Sequence, residues 1–142
     1  MEENTQYQIN TKAFNALKVT LFKGICAKKG IPIESEQLPR ELMPAGIPRM
    51  MQDFYAAFAP VHIDLKPLKI KFLLYKDAFA YIQMTNSPSF IPIAVYNDNQ
   101  YIYMDKHFNG TWDERIKMDM QNGKALILGE NIFDFLIHLA NQ

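Results

Sequence analysis

A chain of 142 residues with 49% apolar composition is large enough to bury one core and too small for several. Its 15 basic and 15 acidic side chains cancel, which removes the overall positive field expected of a nucleic-acid binder. A single cysteine, Cys26, excludes an intrachain disulfide and any zinc site built on several thiolates, and it suits a reducing compartment.

The opening MEENTQYQIN is polar and lacks the basic and apolar runs of a secretory signal; residues 1–10 are expected to be poorly ordered. With no apolar run of about 20 residues, the chain reads as cytoplasmic with no membrane span. From Thr11 the spacing of Phe14, Leu17, Leu21 and Ile25 predicts a helix that Gly30 and Pro32 end. Cys26 lies beside that stripe as a half-buried small residue. Pro32, Pro39, Pro44 and Pro48 make residues 31–48 a connector, and Pro48 opens a second helix, Arg49–Ala59, which Pro60 stops.

Val61 to Leu65 alternates as a half-buried strand with His62 and Asp64 on its polar side. Leu68–Tyr75 and Ala78–Met84 then read as a hairpin across Lys76-Asp77, and the loop 85–89 leads to a second hairpin, Ile91–Asp105. A two-residue turn at Asp98-Asn99 sets Val95 against Ile102 and Ile93 against Met104 on a greasy face. The other face carries Tyr96 against Tyr101 and Ala94 against Tyr103. Thr111-Trp112-Asp113-Glu114 matches a helix capping box, yet Ile116, Met118 and Met120 alternate as a strand, so residues 111–120 fit either state. Asn122-Gly123 is a turn, Ala125–Leu128 a short apolar run, and Asn131–Ala140 a closing helix with Ile132, Leu136 and Leu139 toward the core. The expected fold is a single α+β domain: a largely antiparallel sheet of about five or six strands with N-terminal and C-terminal helices packed on it.

No reaction is announced. The six glycines are too scattered for a phosphate loop, and His62, His107 and His138 stand apart, without the spacing of a zinc hydrolase. His107 among Asp105, Asp113 and Glu114 is the one place where an imidazole and carboxylates crowd, so a small hydrolase using that cluster is the enzymatic alternative. Tyr96, Tyr101 and Tyr103 beside Asp98 and Asp105, with Trp112 close by, instead suggest a surface for a protein partner. Residues 1–71 hold 10 Lys/Arg against 7 Asp/Glu and residues 72–142 hold 5 against 8, so the half that bears these aromatics repels phosphate and suits a basic protein. No cofactor, catalytic residue or metal ligand is expected, and nothing sets an oligomeric state.

The layout resembles the SUKH superfamily of bacterial toxin-immunity proteins and yeast regulators of cell-wall synthesis. The likeness lies in Leu38-Pro39, the Phe54-Tyr55 to Phe58 helix end, Ile91-Pro92-Ile93-Ala94, Tyr101-Ile102-Tyr103-Met104-Asp105 and the closing Ile132-Phe133-Asp134-Phe135-Leu136. Ala59-Pro60 stands where the family commonly has a glycine-rich turn. The resemblance implies a non-enzymatic binder that neutralises a secreted toxin, often a nuclease, by occupying its surface; regulation of cell-wall synthesis is the alternative within the same family.

Overall fold

In the computed structural model, which describes residues 2–44, 46–84 and 89–142, the β-rich runs join into one antiparallel sheet laid down in chain order. Its seven strands are β1 Ile33–Glu36, β2 Ala59–Leu65, β3 Ile70–Phe72, β4 Phe90–Tyr96, β5 Gln100–Lys106, β6 Trp112–Asp119 and β7 Ala125–Gly129. Helices α1 Glu2–Lys28, α2 Arg49–Ala57, α3 Tyr75–Met84 and α4 Ile132–Ala140 complete an α+β chain with helices at both ends. The sheet has one strand more than the upper expectation, because residues 33–36, 112–119 and 125–129 all join it while residues 78–84, expected as a strand, do not. Pro60 falls inside β2 opposite Ser35, where the β1–β2 register shifts and its missing N–H breaks no regular ladder.

A run of phenylalanines ties the layers together. Phe22 of α1 meets Phe58 at 5.9 Å and Phe72 of β3 at 6.3 Å, Phe72 meets Phe135 of α4 at 6.4 Å, and Phe54 of α2 meets Phe133 at 6.1 Å. Each such buried ring contributes roughly 1.5–3 kcal/mol relative to exposure. The closing helix packs as expected, with Ile132, Leu136 and Leu139 all buried. Asn131 caps it by accepting a hydrogen bond from the Asp134 amide at 2.9 Å. Just before it, Gly129 lies so close to α4 that a Cβ there would stand 3.0 Å from the Phe135 backbone.

Three expectations are corrected. The first helix starts at Glu2, not Thr11, and buries Asn15, Val19, Phe22 and Cys26, while Phe14, Leu17 and Leu21 face solvent. Two apolar stripes share this helix, and the one carrying Phe22 wins because it reaches the aromatic core. Residues 75–84 are a helix instead of half a hairpin: Tyr75, Ala78, Phe79 and Ile82 share a helical face, and Tyr55 receives Phe79 at 5.1 Å. Residues 85–88 of the loop that follows lie outside the described residues.

The central hairpin forms, but one residue out of register. Its loop has three residues, with Asn97 and Asp98 both at positive φ, 54° and 64°. Tyr96 therefore opposes Gln100, Val95 opposes Tyr101 and Ala94 opposes Ile102, and a bulge at Ile93 then aligns Ile91 with Met104.

Candidate partner-binding face

Alternation along β5 sends Ile102 and Met104 into the core and turns Tyr101, Tyr103 and Asp105 to the face away from it. On β6, Ile116 is buried, while Lys117 pairs with Tyr103 and Asp113 with Asp105. The register shift opposite Met104 places four steps of β6 beside two of β5, which draws Asp113 and Lys117 together. Lys117 Nζ then lies 2.7 Å from Asp105 and 2.8 Å from Asp113.

Two carboxylates facing each other across a ladder repel, and Lys117 between them removes that repulsion. Asp113 is also gripped by Arg115, whose Nε and Nη2 reach its two oxygens at 3.0 and 2.7 Å and whose amide donates at 3.1 Å. The Arg115 hydrogen bonds, followed by those of Lys117, hold the Asp113 carboxyl well below the usual carboxylate range although burial acts the other way. For Lys117, burial works against the charge, and the hydrogen bonds to Asp105 and Asp113 outweigh it, raising its pKa.

Beside this network the face turns aromatic. Tyr103 donates its hydroxyl to Asp119, and burial followed by that carboxylate pushes the phenol pKa up. Its ring lies edge-on to Phe90 at 5.7 Å, and Phe90 meets Tyr81 at 4.6 Å. Tyr101 stands 55% exposed, and with Phe90, Tyr103, Asp105 and Asp119 it lines an open pocket of about 490 Å³. Asp119 forms no ion pair among the described residues.

Of the residues singled out from the sequence, Tyr101, Tyr103 and Asp105 come together on this face. Asp98 is exposed in the β4–β5 loop. Tyr96 does not join them: the register slip turns it to the helix side, where it packs against the core. Trp112 also packs on the core side, opposite Lys106, and its Nε1 donates to the Gly46 carbonyl at 3.0 Å. Arg115, Lys117, Asp119 and Phe90 were not singled out. Their signal was the alternation Asp113, Arg115, Lys117, Asp119, legible only once residues 112–119 are read as a strand.

The alternative cluster of His107 with acidic residues assembles in part. His107 Nδ1 is 4.0 Å from Asp113, outside hydrogen-bond distance, and Glu114 is exposed. The atom shared by Asp105 and Asp113 is the ammonium of Lys117, which engages one oxygen of each carboxylate. Among the described residues no group of three or more His, Cys, Asp or Glu is placed to hold a metal ion, and no helix is long and apolar enough to cross a membrane. Comparison with protein-family models, with curated proteins and with solved structures gives no match to this chain.

Proposed function

We propose that this chain is a protein-binding module of the cytoplasm, an immunity protein that neutralises a basic toxin, such as a nuclease, by covering its surface and performing no reaction itself. The observation that carries this reading is the aromatic face of β4–β6, where, among the described residues, exposed Tyr101 stands beside the Tyr103–Asp119 pair over an open pocket. Tyrosine supplies rigid contact area with a polar tip, the composition that interface hot spots favour. Asp98 and Asp119, free of ion pairs among the described residues, would draw a basic partner and reject a phosphate backbone. The resemblance to SUKH immunity proteins agrees with this reading.

The test is co-expression with the toxin domain encoded in the neighbouring reading frame. Rescue of growth by the wild-type chain, lost with Tyr101→Ala, supports the proposal. Absence of any toxin frame nearby, or killing that the chain leaves untouched, contradicts it.

A further inference from the structure

Strand β1 is one edge of the sheet: β2 pairs with it on one side, and among the described residues no strand pairs with it on the other. Alternate backbone N–H and C=O groups of Ile33–Glu36 therefore point away from β2, a row that an added strand completes. Between α1 and β1 lies an open groove of about 500 Å³, lined by Lys23 and Ala27 of the helix, by Ile31, and by Ile33, Glu34 and Ser35. Its floor is largely apolar. Ile31 and Ile33 are half-buried and pack on the core, Ala27 is exposed, and Lys23 holds its ammonium 5.3 Å from the centre of the Phe58 ring. A free strand edge beside a helical wall is the arrangement that seats an extended peptide, whose backbone pairs with the edge while alternate side chains enter the groove.

The free backbone row calls for a strand, and charge selects which one. Burial alternates along β1, with Ile33 and Ser35 half-buried and Glu34 and Glu36 exposed. Neither glutamate forms an ion pair among the described residues. A second copy of β1 would bring glutamates against glutamates, and like charges opposed across a ladder repel, whereas a strand with Lys or Arg at its outward positions gains opposite-charge pairs. We propose that β1 and α1 form a docking groove for an extended basic segment of a partner protein, one that alternates apolar with Lys or Arg side chains. It adds to the sheet as an eighth strand, its apolar residues over Ile31 and Ile33 and its basic residues beside Glu34 and Glu36. This inference does not rest on the toxin-binding reading, because three strands separate β1 from β5, which carries Tyr101.

The probe is a fluorescein-labelled heptapeptide amide, Lys-Val-Lys-Val-Lys-Val-Lys, titrated with the full chain and read by fluorescence anisotropy. It is expected to bind with a Kd of about 100 μM or tighter, and the same peptide with Glu in place of Lys at least about tenfold more weakly. N-methylation of the Val amides or of the Lys amides removes alternate donors, and one of these two peptides, not both, should lose binding, since only one set of donors can face β1. Ala27→Trp fills the groove and Glu34→Lys reverses its charge; each should weaken binding of the basic peptide at least about tenfold. Neither should move the midpoint of chemical denaturation, because both positions are exposed. Glu34→Lys should also bind the glutamate peptide more tightly than wild type does. No binding by wild type, equal binding of the two charge types, N-methylated peptides that behave alike, or an unchanged affinity in Ala27→Trp would each overturn the proposal. So would loss of peptide binding in Tyr101→Ala, which would place the peptide on the aromatic face instead.

Discussion

Replacing Lys117 with Met removes one ammonium and keeps its aliphatic stem, so it isolates the charge that lies between Asp105 and Asp113. The side chains of Lys117 and Asp113 are 12% and 5% exposed, and the two bonds measure 2.7 and 2.8 Å. A hydrogen bond to a charged group contributes about 1.5–3 kcal/mol. Asp105, 31% exposed, regains water in the variant, so its bond counts for less, and Arg115 still holds Asp113. A loss of about 2–4 kcal/mol at pH 7 follows. With an unfolding entropy of about 2.1 cal/mol/K per residue, that lowers the melting temperature of this 142-residue chain by roughly 7–13 °C. Urea unfolding at a series of pH values is the assay. Because the Asp113 carboxyl titrates lower in the folded state than its unfolded value of about 3.9, the stabilisation is fully present above about pH 5 and disappears as the pH falls through the folded value. The gap between wild type and Lys117→Met should therefore be flat from about pH 6 to 8 and narrow progressively as the pH falls below about 4. A gap under about 0.5 kcal/mol at pH 7, the size of an ordinary surface change, or one that persists in acid, would refute the electrostatic account.

Leu136→Ala removes a fully buried side chain from the α4 packing face and should cost roughly 2–5 kcal/mol in chemical denaturation. Gly129→Ala must displace the Phe135 backbone, because its Cβ would stand 3.0 Å away, and should cost about 1–3 kcal/mol by the same measurement. Tyr101→Ala, by contrast, should leave stability within about 0.5 kcal/mol, since the ring is 55% exposed.

The α+β class and the closing helix were legible because strongly periodic segments such as Ile132–Ala140 admit one reading. The central hairpin was legible as an element and misread in register: Asp98-Asn99 satisfies a two-residue turn as well as Asn97 to Asn99 satisfies a three-residue loop, and only the bulge at Ile93 brings the greasy side chains back to one face. That single slip moved Tyr96 out of the expected tyrosine face. In α1 the stripe read as core, Phe14, Leu17, Leu21 and Ile25, is the more apolar of two candidates, yet the helix is held by Phe22 and by the ion pair of Lys18 with Asp134, contacts 36 or more residues distant in sequence. The same holds for Tyr75–Met84, whose helical face is specified by Tyr55 and by no local turn signal. The salt-bridged half of the candidate site stayed hidden because a capping-box match and a strand alternation competed over residues 111–120, and the pairing of β6 with both β5 and β7 decides between them.

Calorimetric titration of a toxin domain encoded in a neighbouring reading frame, into wild type and into Tyr101→Ala, tests the proposed function most directly. If the aromatic face is the binding surface, as proposed, the variant should bind at least about 30-fold more weakly, a hot-spot loss of roughly 2 kcal/mol, with its denaturation midpoint unchanged. Affinities within about threefold of one another, less than 1 kcal/mol, would contradict it.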